Sequence, residues 1–467
     1  MNPSGFLSRV ADLLGSDAML QTEADIAPYL DEPRARFTGQ ALAVARPGST
    51  TQVSALVSLC VRFGIAMVPQ GGRTGLVGGA APINGELIIS LERLRALRSI
   101  DPVDASLVAE AGMPLARVRE IAAEHGLMYP VGLASEGTAS IGGTLATNAG
   151  GNLTIRYGNT RQQVLGLEAV LPDGRVFSAL NPLRKDNSGY DLKQLLIGSE
   201  GTLAIITAAC LQLSSTSRQS VTAMLACDGV RAGLELLVQL RSAFGETLSA
   251  CEFIPRLAMD FVLADQDSAR DPFQAPHPWY LLIQLDSALA GDWLRPGAEK
   301  ALMKMIEGGG MHDAVVAGSS AQVSQLWQLR EGISAAQAQG GVSLKHDISL
   351  PIGRIPEFLD QVLPVLQAAV PGIRSCVFGH LGDGNLHFNL SQPEALSSDE
   401  FRARETRCAR IVFDRVRALG GSIAAEHGVG QLRREALAQG QPMKVELMRR
   451  IKAAFDPQGL MNPGKVV

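Results

Sequence analysis

Glycine placement constrains this chain more than any other feature. Its 49 glycines gather at Gly71–Gly79, Gly132–Gly151 and Gly198–Gly201, and again inside the stretch Phe378–Leu390. Glycine accepts positive φ and lets backbone approach a neighbour closely, so clusters mark places where main chain must come up against something. The first cluster lies in Pro69-Gln-Gly-Gly-Arg-Thr-Gly-Leu-Val-Gly-Gly-Ala80, directly after a short strand predicted over Ile65–Val68. A strand that empties into such a loop presents consecutive backbone N–H groups, a nest that binds phosphate without a side-chain cation. The loop has neither the Gly-Lys-Ser/Thr of a P-loop nor a Rossmann GxGxxG. The second cluster runs from Tyr129 to Gly151 and is made of small residues and hydroxyls. Such residues cannot fill a side-chain core; they can form a backbone wall around a large, flat, polar-edged ligand. The third is Gly198-Ser-Glu-Gly-Thr202, ahead of a strand predicted over Leu203–Leu213. Three glycine loops, each attached to a strand, describe a dinucleotide envelope.

The elements around these loops follow from periodicity. Val53, Leu56, Val57, Cys60 and Val61 recur at helical spacing and predict a helix over 50–64, with Thr50 or Thr51 to cap it and Gly64 to end it. Strands are predicted at Leu87–Leu91 and Leu107–Ala111, a helix over Pro114–His125, and a hairpin of Val164–Leu171 with Val176–Ala179 over Pro172-Asp173-Gly174. Residues 216–467 carry no dinucleotide signal. Strands at Val221–Ala226 and Tyr280–Leu285, mixed with helices over Arg231–Phe244, Ile355–Val370, Phe401–Leu419 and Met443–Phe455, predict an α+β domain.

Composition excludes several classes. A chain of 467 residues exceeds one ordinary core, so more than one domain is expected. Net charge is -4 and no basic stripe with interleaved aromatics occurs, so nucleic-acid binding has no electrostatic footprint. No apolar run reaches transmembrane length. The start, MNPSGFLSRVADLLGSDAML, lacks the charged n-region and h-region of a secretory signal and reads as an amphipathic helix carrying Phe6, Leu7, Val10, Leu13 and Leu14. The six cysteines (Cys60, Cys210, Cys227, Cys251, Cys376, Cys408) are scattered, with no CxxC, which fits buried thiols in a reducing cytoplasm.

The chemistry of the second half gathers in three segments. In FGHLGDGNLHFNL (378–390), His380 and His387 flank a tight Leu-Gly-Asp-Gly turn, and Asn385, His387 and Asn389 then share one face of a strand. A polar strand face beside a turned-back histidine asks for an occupant, a metal ion or an anionic substrate. Val342–Leu350 alternates, with Ser343, Lys345, Asp347 and Ser349 on one face, and Trp327–Ser334 brings Arg330 and Glu331. Glu426 and His427 lie side by side in Ala425–Arg434. His380, His387 and Glu426 make a two-histidine, one-carboxylate set that suits Zn²⁺, Mn²⁺ or Fe²⁺. The bland alternatives are plain ion pairs for Arg330–Glu331 and Lys345–Asp347, a surface carboxylate for Glu426 and a helix-end histidine for His427.

PQGGxTG, then PVG…GTASIGGxLATNAGG, then GSEGTL, in that order, resemble the FAD-binding domain of the vanillyl-alcohol oxidase/p-cresol methylhydroxylase-type flavoproteins over residues 38–215. The resemblance implies that Gly71, Gly72, Thr74 and Gly75, flanked by Pro69 and Arg73, cradle the pyrophosphate. It implies that Pro130, Gly132, Ser135, Thr138, Gly142, Gly143 and Asn148 line ribose and flavin, and that Glu200, Gly201, Ile206 and Asn462 also face the cofactor. Members that attach FAD covalently through this loop carry a histidine after the two glycines; Arg73 stands there, which implies non-covalent FAD.

WxLRE, LKHDISLP, FGHLGDGNLHFN, AEHGVG and MNPGK are similar to the C-terminal half of the FAD-linked D-2-hydroxyacid dehydrogenases, the D-2-hydroxyglutarate dehydrogenase group above all, with D-lactate dehydrogenases and glycolate oxidase subunits adjoining. By that resemblance His380, His387 and Glu426 hold a divalent metal, usually zinc. Arg330 and Lys345 bind substrate carboxylates, Ser334 and Asn389 contact the substrate, and His427 is the base. Ser334 stands where the family often has threonine, and Arg73 where it often has asparagine. A metal on a 2-hydroxy acid lowers the hydroxyl pKa, His427 takes the proton, and the Cα hydride passes to flavin N5. Two cations plus a metal favour a dicarboxylate such as D-2-hydroxyglutarate or D-malate over D-lactate or glycolate. A non-catalytic flavin-binding subunit is the reading from another class.

The expected organisation is therefore α+β. An N-terminal helical segment (1–37) precedes the FAD-binding domain (38–215), a substrate domain (216–425) and a C-terminal segment (426–467) that completes the active site. No NAD site is visible, so the expected electron acceptor is an electron-transfer flavoprotein or a quinone. A cytoplasmic homodimer is expected.

Overall fold

In a computed structural model, residues 3–37 and 39–467 are described. Met1, Asn2 and Thr38, on which two of the expected segment boundaries fall, lie outside the described residues. The chain divides into two compact units. The first comprises Met1–Gly151, Gly158–Thr216 and Glu426–Val467; the second comprises Asn152–Tyr157 and Ser217–Ala425.

The first unit holds two main sheets over one core. In the smaller, Ala41–Ala45, Glu86–Ser90 and Met67–Gln70 run parallel in that spatial order, and Met19–Leu20 pairs antiparallel at the edge. Every residue of Glu86–Ser90 is buried, as expected of a parallel strand covered on both faces. The helix Thr50–Phe63 carries the chain between the first two parallel strands in sequence and buries Val53, Leu56, Val57 and Cys60. Its cap is Ser49, whose hydroxyl accepts from the Gln52 amide, rather than Thr50 or Thr51. Gly64 ends it at φ 65°. The strand after it is Met67–Gln70, two residues later than Ile65–Val68, so the first glycine loop leaves the carboxyl end of a parallel strand, where open α/β sheets bind ligands. The larger sheet is antiparallel, ordered Leu97–Asp101, Ser106–Glu110, Ile205–Gln212, Val164–Val170, Val176–Ala179. The second glycine loop departs from the expectation of pure wall: Ile141–Thr147 is a helix, capped by the Ser140 hydroxyl on the Gly143 amide and ended by Asn148 at φ 50°.

The second unit is built on one antiparallel seven-stranded sheet. Its order is Asp313–Val316, Gln219–Cys227, Trp279–Ser287, Leu248–Pro255, Arg374–His380, Asn385–Ser391, Ser343–Ser349. Leu248–Pro255 is buried along its whole length and was not expected as a strand, because its residues show no alternation. The single helix expected over Phe401–Leu419 is two, Ser398–Arg402 and Glu405–Ala418. Ser397 and Glu400 form a capping box that starts the first, and a turn at Ala403 and Arg404 separates them. Phe401, Cys408, Val412 and Val416 are all buried at helical spacing across the break, so the apolar pattern carries no sign of it.

Residues 152–157 belong to this unit although the chain around them belongs to the first. Arg156 donates to the Asp286 carbonyl at 2.7 Å, and the Ile155 side chain fills the space against Gly382.

Candidate functional site

Within the first unit, the three glycine loops close on one another. A Cβ at Gly72 would stand 1.9 Å from the Thr138 carbonyl oxygen, one at Gly71 2.1 Å from the Ser140 hydroxyl, and one at Gly142 2.7 Å from the Ala111 Cβ. A Cβ at Gly201, which has φ 71°, would stand 2.5 Å from the Pro69 ring. These glycines therefore serve loop-to-loop packing. Gly75 is different: nothing lies within 4 Å of its would-be Cβ, so its backbone is open to an approaching group. Thr74, next to it in the loop, and Gly143, in the helix Ile141–Thr147, are half-buried, Thr138 is exposed, Ser135 and Gly132 are half-buried, and Pro130 and Ile206 are buried. Gln70 pins the loop ends, donating to the Tyr29 and Ala80 carbonyls at 2.9 and 2.8 Å.

Backbone strain concentrates here. Among the described residues seven non-glycines have positive φ, and four are Arg73, Asn148, Glu200 and Asn462, all cofactor positions implied by the motifs. Sparsely populated φ values cluster where the surroundings over-determine them, typically at ligand clamps. Arg73 stacks its guanidinium over Tyr29 at 4.7 Å. Asparagine adopts this left-handed conformation more readily than arginine. The Glu200 carboxylate is committed to the chain, accepting from the Val429 and Gly430 amides at 2.7 and 2.8 Å. Burial pushes this carboxyl up in pKa, and the two amides pull it back. Asn462 donates to the Gly79 and Glu200 carbonyls at 3.0 and 2.8 Å. Asn462 Oδ1, the Tyr129 hydroxyl and Lys465 Nζ are buried without a hydrogen-bond partner among the described residues. Buried polar atoms are normally satisfied, so this set fits a unit that receives a polar-edged cofactor such as FAD. Segment 426–467 is thus part of the nucleotide-binding unit. At its head Glu426 Oε1 lies 3.2 Å from His427 Nε2.

Within the second unit, strand register assembles a polar face. Antiparallel partners share a face, so Ser349, Asn385, His380 and Glu252 form one cross-strand row. Asp347, His387 and Phe378 form the next, and Lys345, Asn389 and Cys376 the third. The His380 and His387 rings are 5.5 Å apart at 72°. Asn385 donates to Asp347 at 2.9 Å and to the Ile348 carbonyl at 3.0 Å; Asn389 donates to Gln337 at 2.7 Å. Lys345 Nζ donates to the Ser334 carbonyl at 3.2 Å, which joins two of the expected substrate residues, although the Ser334 side chain is on an exposed turn of helix.

Arg330 lies in the last turn of the helix Ser320–Glu331 and is buried. Its Nε donates to Glu252 Oε2 at 2.7 Å, and its guanidinium stacks over Phe378 at 5.0 Å. The other Glu252 oxygen takes His380 Nδ1, also at 2.7 Å. Glu252 is fully buried. Burial pushes its carboxyl up, but His380 and Arg330 outweigh that and hold it down at about 2. Sequence reading singled out Arg330 and His380 and missed the residue between them. The one signal available was an acid inside the apolar run Leu248–Pro255. Lys345 stands opposite Asn389 across the sheet, and Arg330 pairs with Glu252, a partner far along the chain.

Residues 216–466 match the C-terminal domain of FAD linked oxidases, and residues 41–179 match the FAD binding domain. The chain belongs to the FAD-linked oxidase family, with an FAD-binding fold of the vanillyl-alcohol oxidase/p-cresol methylhydroxylase type, and it is an FAD-dependent dehydrogenase. It is 41% identical to a D-2-hydroxyglutarate dehydrogenase of Xanthomonas citri pv. viticola, over 96% of this chain and 94% of that one. It is 35% identical to a D-2-hydroxyglutarate dehydrogenase of Stutzerimonas stutzeri, over 95% of each chain. With the mitochondrial D-2-hydroxyglutarate dehydrogenase of Arabidopsis thaliana it shares 36% identity over 99% of this chain and 81% of that one. Among solved structures, p-cresol methylhydroxylase with substrate bound superposes at a TM-score of 0.78, with 18% identity over 99% of this chain and 96% of that one. That likeness concerns the fold. Among the described residues no helix is long and apolar enough to cross a membrane.

Proposed function

We propose that this dehydrogenase oxidises a D-2-hydroxy acid, D-2-hydroxyglutarate before its shorter relatives, to the 2-oxo acid. FAD held without a covalent bond and a divalent metal, zinc first, would take part; when bound, these supply the hydride acceptor and a Lewis acid that acidifies the substrate hydroxyl. His380, His387 and Glu426 are the ligand set, two imidazoles and a carboxylate. Arg330 and Lys345 bind the two carboxylates of the substrate, and Asn389 and Ser334 complete its contacts. His427 takes the hydroxyl proton.

The observation that carries this reading is the polar sheet face of the second unit, where His380, His387, Asn389 and Lys345 stand in adjacent rows beside buried Arg330. Arg330 bonds inward through Nε, so its Nη groups remain for a bidentate carboxylate grip. A second cation, Lys345, suits a diacid. The names of the relatives point to the same substrate. Arg73 in place of a histidine supports unlinked flavin, and the six unpaired, buried cysteines suit a reducing cytoplasm. An electron-transfer flavoprotein or a quinone would reoxidise the flavin, and we expect a homodimer.

The test is anaerobic flavin bleaching by D-2-hydroxyglutarate, D-malate, D-lactate and glycolate, with and without chelator. Bleaching by D-2-hydroxyglutarate at the lowest concentration, and its loss on chelation, is the expected result. Faster bleaching by D-lactate or glycolate would reassign the substrate. Indifference to chelator would remove the metal, and no bleaching by any acid would remove the reaction.

A further inference from the structure

The geometry points to Glu252 as a positioning residue that sets Arg330 and His380 together. It rests on the functional reading above, because it concerns how those two groups are held. Each Glu252 oxygen takes one of them, His380 Nδ1 on Oε1 and Arg330 Nε on Oε2, both at 2.7 Å. The carboxylate sits in a strand with no exposed residue, so water does not compete for it. Arg330 comes from a helix and His380 from the end of a strand; this one group fixes both, and Phe378 closes the frame. Its ring lies 5.0 Å beneath the guanidinium and 5.0 Å from the His387 ring.

Two consequences follow from elementary hydrogen-bond chemistry. An ionised carboxylate only accepts, so the proton of neutral His380 is on Nδ1 and the lone pair is on Nε2, the atom that can act as a ligand. Such an outer carboxylate orients a metal-ligating imidazole, and its loss typically costs about 10–100-fold in metal affinity. The same carboxylate turns Arg330 so that Nη1 and Nη2 present the fork end-on. Glutamine at 252 offers one acceptor and one donor, so it can serve only one of the two N–H groups.

The test combines wild-type protein and variants. With ¹⁵N-histidine labelling, His380 assigned by His380→Gln, the wild type without metal, at a pH high enough for His380 to be neutral, should show Nδ1 protonated and Nε2 unprotonated. The opposite tautomer would overturn the proposal with no variant needed. In Glu252→Gln, zinc retained after dialysis against a graded chelator should fall about tenfold or more in affinity, and KM for the diacid should rise about tenfold. The KM effects of Glu252→Gln and Arg330→Met should be strongly non-additive, since both remove one arrangement. Unchanged zinc affinity with additive KM effects would mean that Glu252 only supports the fold. If no 2-hydroxy acid is oxidised by the wild type, the functional reading fails, while the tautomer and zinc measurements still decide the role of Glu252.

Discussion

Lys465 offers the sharpest energetic test of the nucleotide-binding unit. Its side chain is 1% exposed, and Nζ has no hydrogen-bond partner among the described residues. Burial pulls its pKa from 10.5 down to about 8, and the distant Glu86 carboxylate only partly offsets this. That carboxylate is already engaged by the Ile83 and Asn84 amides at 2.7 and 2.8 Å. From 10.5 to about 8, at about 1.4 kcal/mol per pKa unit, protonating the native state costs about 3 kcal/mol relative to the unfolded chain. The sign is fixed by linkage. The native pKa is depressed for a cation, so the penalty is complete below pH 8, where both states are charged. As pH rises from 8 towards 10.5 the native state sheds its proton while the unfolded chain keeps it, and the penalty disappears. Lys465→Met keeps the bulk of the side chain and removes the charge. In flavin-free protein it should therefore raise stability by about 3 kcal/mol at pH 7, or about 6–12 °C in Tm for a unit of this size. The gain should shrink steadily above pH 8. Scanning calorimetry of both proteins at pH 6.5, 8 and 9.5 measures it. A variant that melts lower than wild type at pH 6.5, or a gain that does not change with pH, would show that the ammonium is satisfied in the folded protein and would refute the reasoning.

Gly72→Ala should lose both flavin and stability, because the new methyl meets the Thr138 carbonyl oxygen at 1.9 Å and overpacking of this kind costs about 1–3 kcal/mol. Gly75→Ala has open space around the added carbon, so it should keep the stability of the flavin-free protein and lose only FAD affinity; visible absorbance per protein and a melting curve separate the two. Glu200→Ala strands the Val429 and Gly430 amides, at about 1–3 kcal/mol each, and should lower Tm together with kcat, through the neighbouring His427 proposed as the base. Glu252, with its carboxyl held from 4.5 down to about 2, contributes about 3 kcal/mol that is complete above pH 4.5 and is lost as pH falls through 2. Denaturation curves of wild type and Glu252→Gln should therefore lie apart at pH 6 and converge towards pH 2.

What could be read in the sequence were features whose cause is local. The strand that empties into Pro69–Ala80, the Gly-Asp-Gly turn and the alternation after it each declare themselves within a dozen residues, and the hairpin register then puts His387 opposite Phe378. The helix Ile141–Thr147 was hidden because Ile-Gly-Gly-Thr-Leu-Ala-Thr has weak helix propensity; it forms where the Ser140 cap and the close pass over Ala111 select it. Leu248–Pro255 was hidden for the opposite reason, since a strand buried on both faces has no period to detect. Residues 152–157 switch units through contacts to Asp286 and Gly382, far along the chain. Most instructive is the division of labour among the glycines. Sequence treats Gly71, Gly72 and Gly75 as one phosphate-binding run. The structure separates two that let protein meet protein from one that leaves backbone open. A ligand-binding glycine and a packing glycine look identical in sequence, and only the distance to what a Cβ would strike tells them apart. The same holds for Glu252: an acid within an apolar strand is a fault to be explained until both of its oxygens are seen to be taken, one by the residue expected to grip a carboxylate and the other by a residue expected to hold a metal. The chemistry proposed for this site was legible in the residues expected to face a ligand, and invisible in Glu252, the one proposed to hold two of them still.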